Sequence, residues 1–117
     1  MKINSLYISV EDMKRAVNFY EQYFGKKVDR FDNRYSIFEI NGFSFGLFNP
    51  KEDGEDVVFG NNIIPNIEVD NIDEEYKKIK DIGAKIILDI DEINNMKLFQ
   101  FKDSEGNIIE VYSKISV

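Results

Sequence analysis

The chain has 117 residues, 43% of them hydrophobic and 14% aromatic, a formal net charge of -7, and neither cysteine nor histidine. Such a chain holds one core of ordinary size. Its negative charge disfavours nucleic acid and anionic membranes and leaves neutral or cationic small molecules as better partners. The missing residue types exclude disulfides, thiolate metal sites, Ser-His-Asp triads, zinc helices of the His-Glu-x-x-His kind and a histidine base. Carboxylates, hydroxyls, amides and amines must carry any chemistry.

Residues 1–10 resemble neither a signal peptide nor a membrane span, so a soluble, cytoplasmic protein is expected. Ile3 to Val10 alternates, with Leu6, Ile8 and Val10 on one face and Ser5, Tyr7 and Ser9 on the other, which predicts a half-buried strand. Asp12 can cap a helix whose stripe is Met13, Ala16, Val17, Tyr20 and Phe24, and Gly25 suits its left-handed stop. Lys27 to Phe31 reads as a short strand. Tyr35 to Ile40 and Phe43 to Asn49 join through Asn41-Gly42, a strong hairpin signal. Residues 50–62 are acidic and aperiodic, so they form the expected connection; Glu52 to Asp56 reads as a solvated loop able to act as a lid.

The pattern then restarts. Ile63 to Val69 predicts a strand, Asp70 or Asn71 starts a helix with Ile72, Tyr76, Ile79 and Ile82 on one side, and Gly83 ends it. Ala84 to Leu88 is the next strand. Met96 to Lys102 and Ile108 to Ser113 form a hairpin around residues 103–107. Val10, Gly25 and Gly42 find counterparts in Val69, Gly83 and Gly106, roughly 60 residues on, which suggests duplication. The expected fold is α+β, a single domain of two βαβββ modules, 1–49 and 63–117. A calcium loop over Asp89 to Gln100 fails, because Ile93, Asn94 and Gln100 stand where Asp or Asn, Gly and Glu are required.

Val10-Glu11-Asp12, Ala16 to Tyr20, Phe24-Gly25, Val69 to Asp73, Gly83-Ala84 and above all Phe101 to Glu110 resemble the vicinal oxygen chelate superfamily, the glyoxalase, bleomycin-resistance and dioxygenase group. Ser104 departs from its usual proline. The resemblance implies curled mixed sheets forming a cup, helices outside and ligand inside, and homodimerisation. Alternation turns Ser5, Tyr7, Gly46, Phe48, Ile64, Asn66, Glu68, Glu110 and Tyr112 toward that cup. Metal-using relatives carry ligands at positions matching Ser5, Gly46, Ile64 and Glu110. Only Glu110 keeps a charged donor, so no metal and no other cofactor is expected.

Glu110 is the candidate carboxylate, for ligand recognition or, in an enzyme, for proton transfer; Glu39 and Glu68 are weaker candidates. Tyr7, Phe48 and Tyr112 suit a flat ligand or a cation over a ring. Phe43, Phe45, Phe99 and Phe101 read as packing residues, with Phe99 also carried in the ligand-facing set. The expectation is a metal-independent binder of a cationic or aromatic compound; the alternative is a glyoxalase-like lyase or related enzyme using Glu110.

Overall fold

The computed structural model describes residues 1–60 and 63–115; residues 61 and 62 of the expected connection, and 116 and 117 of the expected second module, lie outside the described residues. The chain divides into two compact units, Met1–Phe59 and Gly60–Val117.

In the first unit, β1 (Ser5–Ser9), α1 (Met13–Phe24), β2 (Tyr35–Ile40) and β3 (Phe43–Phe48) build a mixed sheet of order β1-β3-β2, with β1 parallel to β3. The helix begins where predicted: the Asp12 side chain accepts the Arg15 N–H at 3.0 Å, a cap that contributes about 1 kcal/mol. It stops at Gly25, whose φ of 67° lets its N–H reach the Glu21 carbonyl. Its buried face meets the sheet through rings. Fully buried Tyr20 lies 5.2 Å from Phe45 and 6.4 Å from Phe38, and Phe24 lies 5.2 Å from Phe38. The β2–β3 turn has φ of 50° at Asn41 and 79° at Gly42, the two positive angles that match strand twist in a two-residue hairpin.

The strand expected at Lys27 to Phe31 reduces to an isolated bridge between Arg30 and Ile37. Side chains take over the ladder there. The Glu39 N–H donates to the Asp29 carboxylate at 2.8 Å, Lys26 Nζ donates to the Glu39 carbonyl at 2.8 Å, and the Val28 N–H goes to Glu21. Local polar side chains thus satisfy groups a fourth strand would have paired. The acidic stretch Glu52 to Asp56 is exposed, as expected of a solvated loop, and is locally ordered: Pro50–Asp53 forms a 3₁₀ turn, and both Asp53 carboxylate oxygens accept from Arg34 Nε, at 2.9 and 3.1 Å.

In the second unit, β4 (Asn66–Glu68), α2 (Ile72–Ile82), β5 (Lys85–Ile93), β6 (Met96–Lys102) and β7 (Ile108–Lys114) form a sheet of order β4-β7-β6-β5, with β4 parallel to β7. β4 is shorter than expected because Pro65 has no N–H to donate, although its carbonyl accepts from Glu110 at 3.0 Å. Asn71 caps α2 by accepting the Glu74 N–H, and Gly83 closes it with φ of 89°. β5 runs to Ile93, past the expected Leu88, and turns into β6 through Asn94 and Asn95 at φ of 52° and 63°. Asparagine tolerates that left-handed pair almost as glycine does.

The β6–β7 turn is held by buried Asp103, whose Oδ1 accepts the N–H groups of Glu105 and Asn107, each at 2.8 Å. Asp103 to Asn107, inside the run that carries the resemblance, therefore forms a turn in which a buried acid adds to the backbone bonds.

Candidate functional site

Each sheet packs one face on its helix and leaves the other open, and the strand register decides which side chains share that open face. In the first unit Tyr7 stands opposite Gly46, and Phe48 lies between Ser9 and Tyr35. Three rings meet there. Tyr7 lies 5.7 Å from Tyr35 and 5.5 Å from Phe48, both edge-on, and Tyr35 lies 6.3 Å from Phe48. Tyr7 is 58% exposed. Arg34 extends the cluster, its guanidinium carbon 5.7 Å from the centre of the Phe48 ring. Its charge is fixed by Asp53, whose hydrogen bonds hold the guanidinium above its ordinary pKa and the Asp53 carboxyl below its own.

Gly46 is buried beneath this cluster. A Cβ built on it would overlap the Tyr35 hydroxyl, stand 2.7 Å from Tyr35 Cζ and meet Tyr7 Cβ at 3.0 Å. Tyr35 thus lies across β3 in the space a side chain at position 46 would need. Burial, then the neighbouring Tyr7, raise the Tyr35 phenol above its usual pKa, so it stays a neutral donor at physiological pH.

On the open face of the second unit, Asn66, Glu110 and Gln100 stand in one cross-strand row, and Glu68, Tyr112 and Leu98 in the next. Glu110 is half-buried and its Oε1 accepts from Gln100 Nε2 at 3.1 Å. The Tyr112 hydroxyl donates to Glu68 Oε1 at 3.3 Å, and Lys114 Nζ stands 3.8 Å from Glu68 Oε2. This face offers carboxylate and amide acceptors beside a ring, a set suited to ammonium or amide donors.

The structure brings Tyr7, Gly46 and Phe48 together in one unit, and Asn66, Glu68, Glu110 and Tyr112 in the other. Ser5 is exposed at the start of β1, and Ile64 precedes β4. Phe99 is a correction. It is fully buried on the helix side, its ring 5.3 Å from Tyr76 of α2 and 6.3 Å from Phe101, because it pairs with Val111 while the open face takes Leu98 and Gln100. Glu39 is exposed and accepts the Ser44 hydroxyl at 2.7 Å. Sequence reasoning missed Tyr35 and Gln100. Both have the right strand parity, but Tyr35 matters because it crosses to Gly46, which period-two reading of one strand does not reveal.

The family positions for a metal ion do not fit one here. Ser5 supplies a hydroxyl and Glu110 a carboxylate held by Gln100; Ile64 has no donor, and a donor at position 46 would collide with Tyr35. Among the described residues, no three His, Cys, Asp or Glu side chains stand grouped to hold an ion. No helix of the described residues is long and apolar enough to cross a membrane.

The chain belongs to the Glyoxalase/Bleomycin resistance protein/Dioxygenase superfamily, whose model matches residues 2–111. It is 30% identical over 117 residues to the metallothiol transferase FosB of Lysinibacillus sphaericus (strain C3-41), covering 95% of this chain and 81% of that protein. Among solved structures, the fold is similar to that of a protein from Agrobacterium tumefaciens determined in solution, with a TM-score of 0.87 at 18% identity over 99% of both chains. A lactoylglutathione lyase from the same organism gives a TM-score of 0.80 at 18% identity, covering 96% of this chain and 92% of that one.

Proposed function

We propose that the protein is a metal-independent small-molecule binder, taking a flat aromatic or cationic compound. The observation that supports this most is the closure of position 46 by Tyr35, which puts a cluster of aromatic rings where metal-using relatives start a ligand side chain. The face around Tyr7, Tyr35 and Phe48 offers stacking, and the face around Asn66, Glu68, Glu110 and Tyr112 offers acceptors; neither function needs an ion. Glu110 recognises a donor on the ligand, and the protein acts in the cytoplasm as a homodimer within one superfamily domain.

Isothermal titration with a panel of flat aromatic compounds, neutral and cationic, tests this reading. Saturable binding that weakens in Tyr7→Ala or in Glu110→Gln is expected. No binding by monomeric or dimeric fractions contradicts it.

A second reading is favoured by Glu110 itself, kept half-buried on an open face, and by the enzyme names of similar proteins. In that reading Glu110 is the base of a glyoxalase-like or related reaction. Turnover that disappears in Glu110→Gln while ligand binding persists would select it.

A further inference from the structure

Tyrosine hydroxyls in the second unit have protein partners: Tyr76 donates to Asp89 at 2.6 Å and Tyr112 to Glu68 at 3.3 Å. Tyr35 differs. Its backbone N–H goes to Asp32 at 3.2 Å and its ring meets Tyr7 and Phe48, but its hydroxyl has no hydrogen-bond partner among the described residues. The side chain is only half-buried, and the neighbouring ring of Tyr7 is 58% exposed. A neutral O–H therefore stands without a partner among the described residues, over a glycine that leaves room for its phenol alone and beside the rings of Tyr7 and Phe48. A half-buried donor of this kind discriminates between ligands, because an acceptor that reaches it gains a hydrogen bond and an apolar group placed there leaves it unpaired.

We propose that Tyr35 is a specificity-determining residue, donating its hydroxyl to an acceptor atom on a planar ligand that lies against Tyr7 and Phe48. The ligand class is a flat heteroaromatic or aromatic carbonyl compound. The assignment rests on the small-molecule reading above and narrows it: of the features such a ligand can carry, this face selects the acceptor rather than the positive charge. Arg34 already stands over Phe48, and its cation opposes a second one there.

Three probes of nearly the same shape separate the contributions: naphthalene offers a ring system alone, quinoline adds a neutral ring-nitrogen acceptor, and N-methylquinolinium replaces the acceptor with a cation. Binding of each to the full chain is followed by ligand-observed NMR. Quinoline should bind about fivefold tighter than naphthalene, the size of one ordinary hydrogen bond. In Tyr35→Phe that preference should vanish while naphthalene binding stays unchanged. Gly46→Ala, whose methyl group displaces the phenol, should abolish the preference too, with the fold checked by circular dichroism. A quinoline preference that survives Tyr35→Phe overturns the proposal, as does a cation that binds best in a Tyr35-independent way. Binding of all three without discrimination overturns it while leaving the small-molecule reading intact; failure of all three to bind removes both.

Discussion

Replacing Gly46 by alanine should destabilise the protein only while Tyr35 is present. The new methyl would overlap the Tyr35 hydroxyl, stand 2.7 Å from Cζ and touch Tyr7 Cβ at 3.0 Å. Overpacking of this kind costs about 1–3 kcal/mol, and the middle of that range, about 2 kcal/mol, applies because two atoms of the phenol are met but its side chain can rotate outward. Loss of glycine's backbone freedom offsets about 0.5–1 kcal/mol of that. Gly46→Ala alone should therefore lower stability by about 1 kcal/mol, a shift of about 4 °C in Tm for a chain of this size. In a Tyr35→Ala background the same change should be neutral or slightly stabilising. The contact with Tyr7 is common to both backgrounds and cancels in the cycle, leaving a coupling of about 1–2 kcal/mol between positions 35 and 46. Urea unfolding of the four proteins measures it. A Gly46→Ala effect equal in the two backgrounds within about 0.5 kcal/mol would refute the claim that Tyr35 fills the space over Gly46.

Phe99→Ala should cost about 3–5 kcal/mol in urea unfolding, as for other buried aromatics; an effect under about 1 kcal/mol would return Phe99 to the ligand-facing set. Asp103→Ala leaves the N–H groups of Glu105 and Asn107 without their acceptor, so it should cost about 2–4 kcal/mol and speed amide exchange at those two residues, a response absent if the turn is held by backbone alone. Asp29 has its pKa lowered from 3.8, first by the Lys26 hydrogen bond and then by that from the Glu39 N–H. A carboxylate depressed on folding stabilises the native state above its unfolded value and loses that contribution as pH falls through the lower folded value. Asp29→Asn should thus lower Tm near neutrality and flatten its acid dependence below about pH 4, whereas an unchanged acid slope would remove Asp29 from the account.

Much of the fold was legible because its signals are local. Asp12 and Gly25 bracket α1, Gly83 ends α2, and Asn41-Gly42 marks a turn that needs two positive φ angles, each a requirement a few adjacent residues meet or fail. What escaped depended on partners distant in sequence. Lys27 to Phe31 has strand-like composition, yet Asp29, Lys26 and Glu21 supply hydrogen bonds that make a full ladder unnecessary. Asn94-Asn95 lacks glycine, so the length of β5 was missed. For the site, alternation placed Tyr7, Phe48, Glu110 and Tyr112 on open faces. It gave no hint that Tyr35 lies diagonally over Gly46 of the adjacent strand, and Phe99 followed its register to the helix instead.

Ligand recognition without a metal ion, as proposed for this superfamily member, is decided by one experiment on the purified protein. Transition-metal content is measured by elemental analysis, and quinoline binding is then compared after exhaustive chelation and after addition of zinc, nickel or manganese. Substoichiometric metal and the same affinity in every condition are expected. A stoichiometric ion, or binding that chelation abolishes and metal restores, would contradict the proposal.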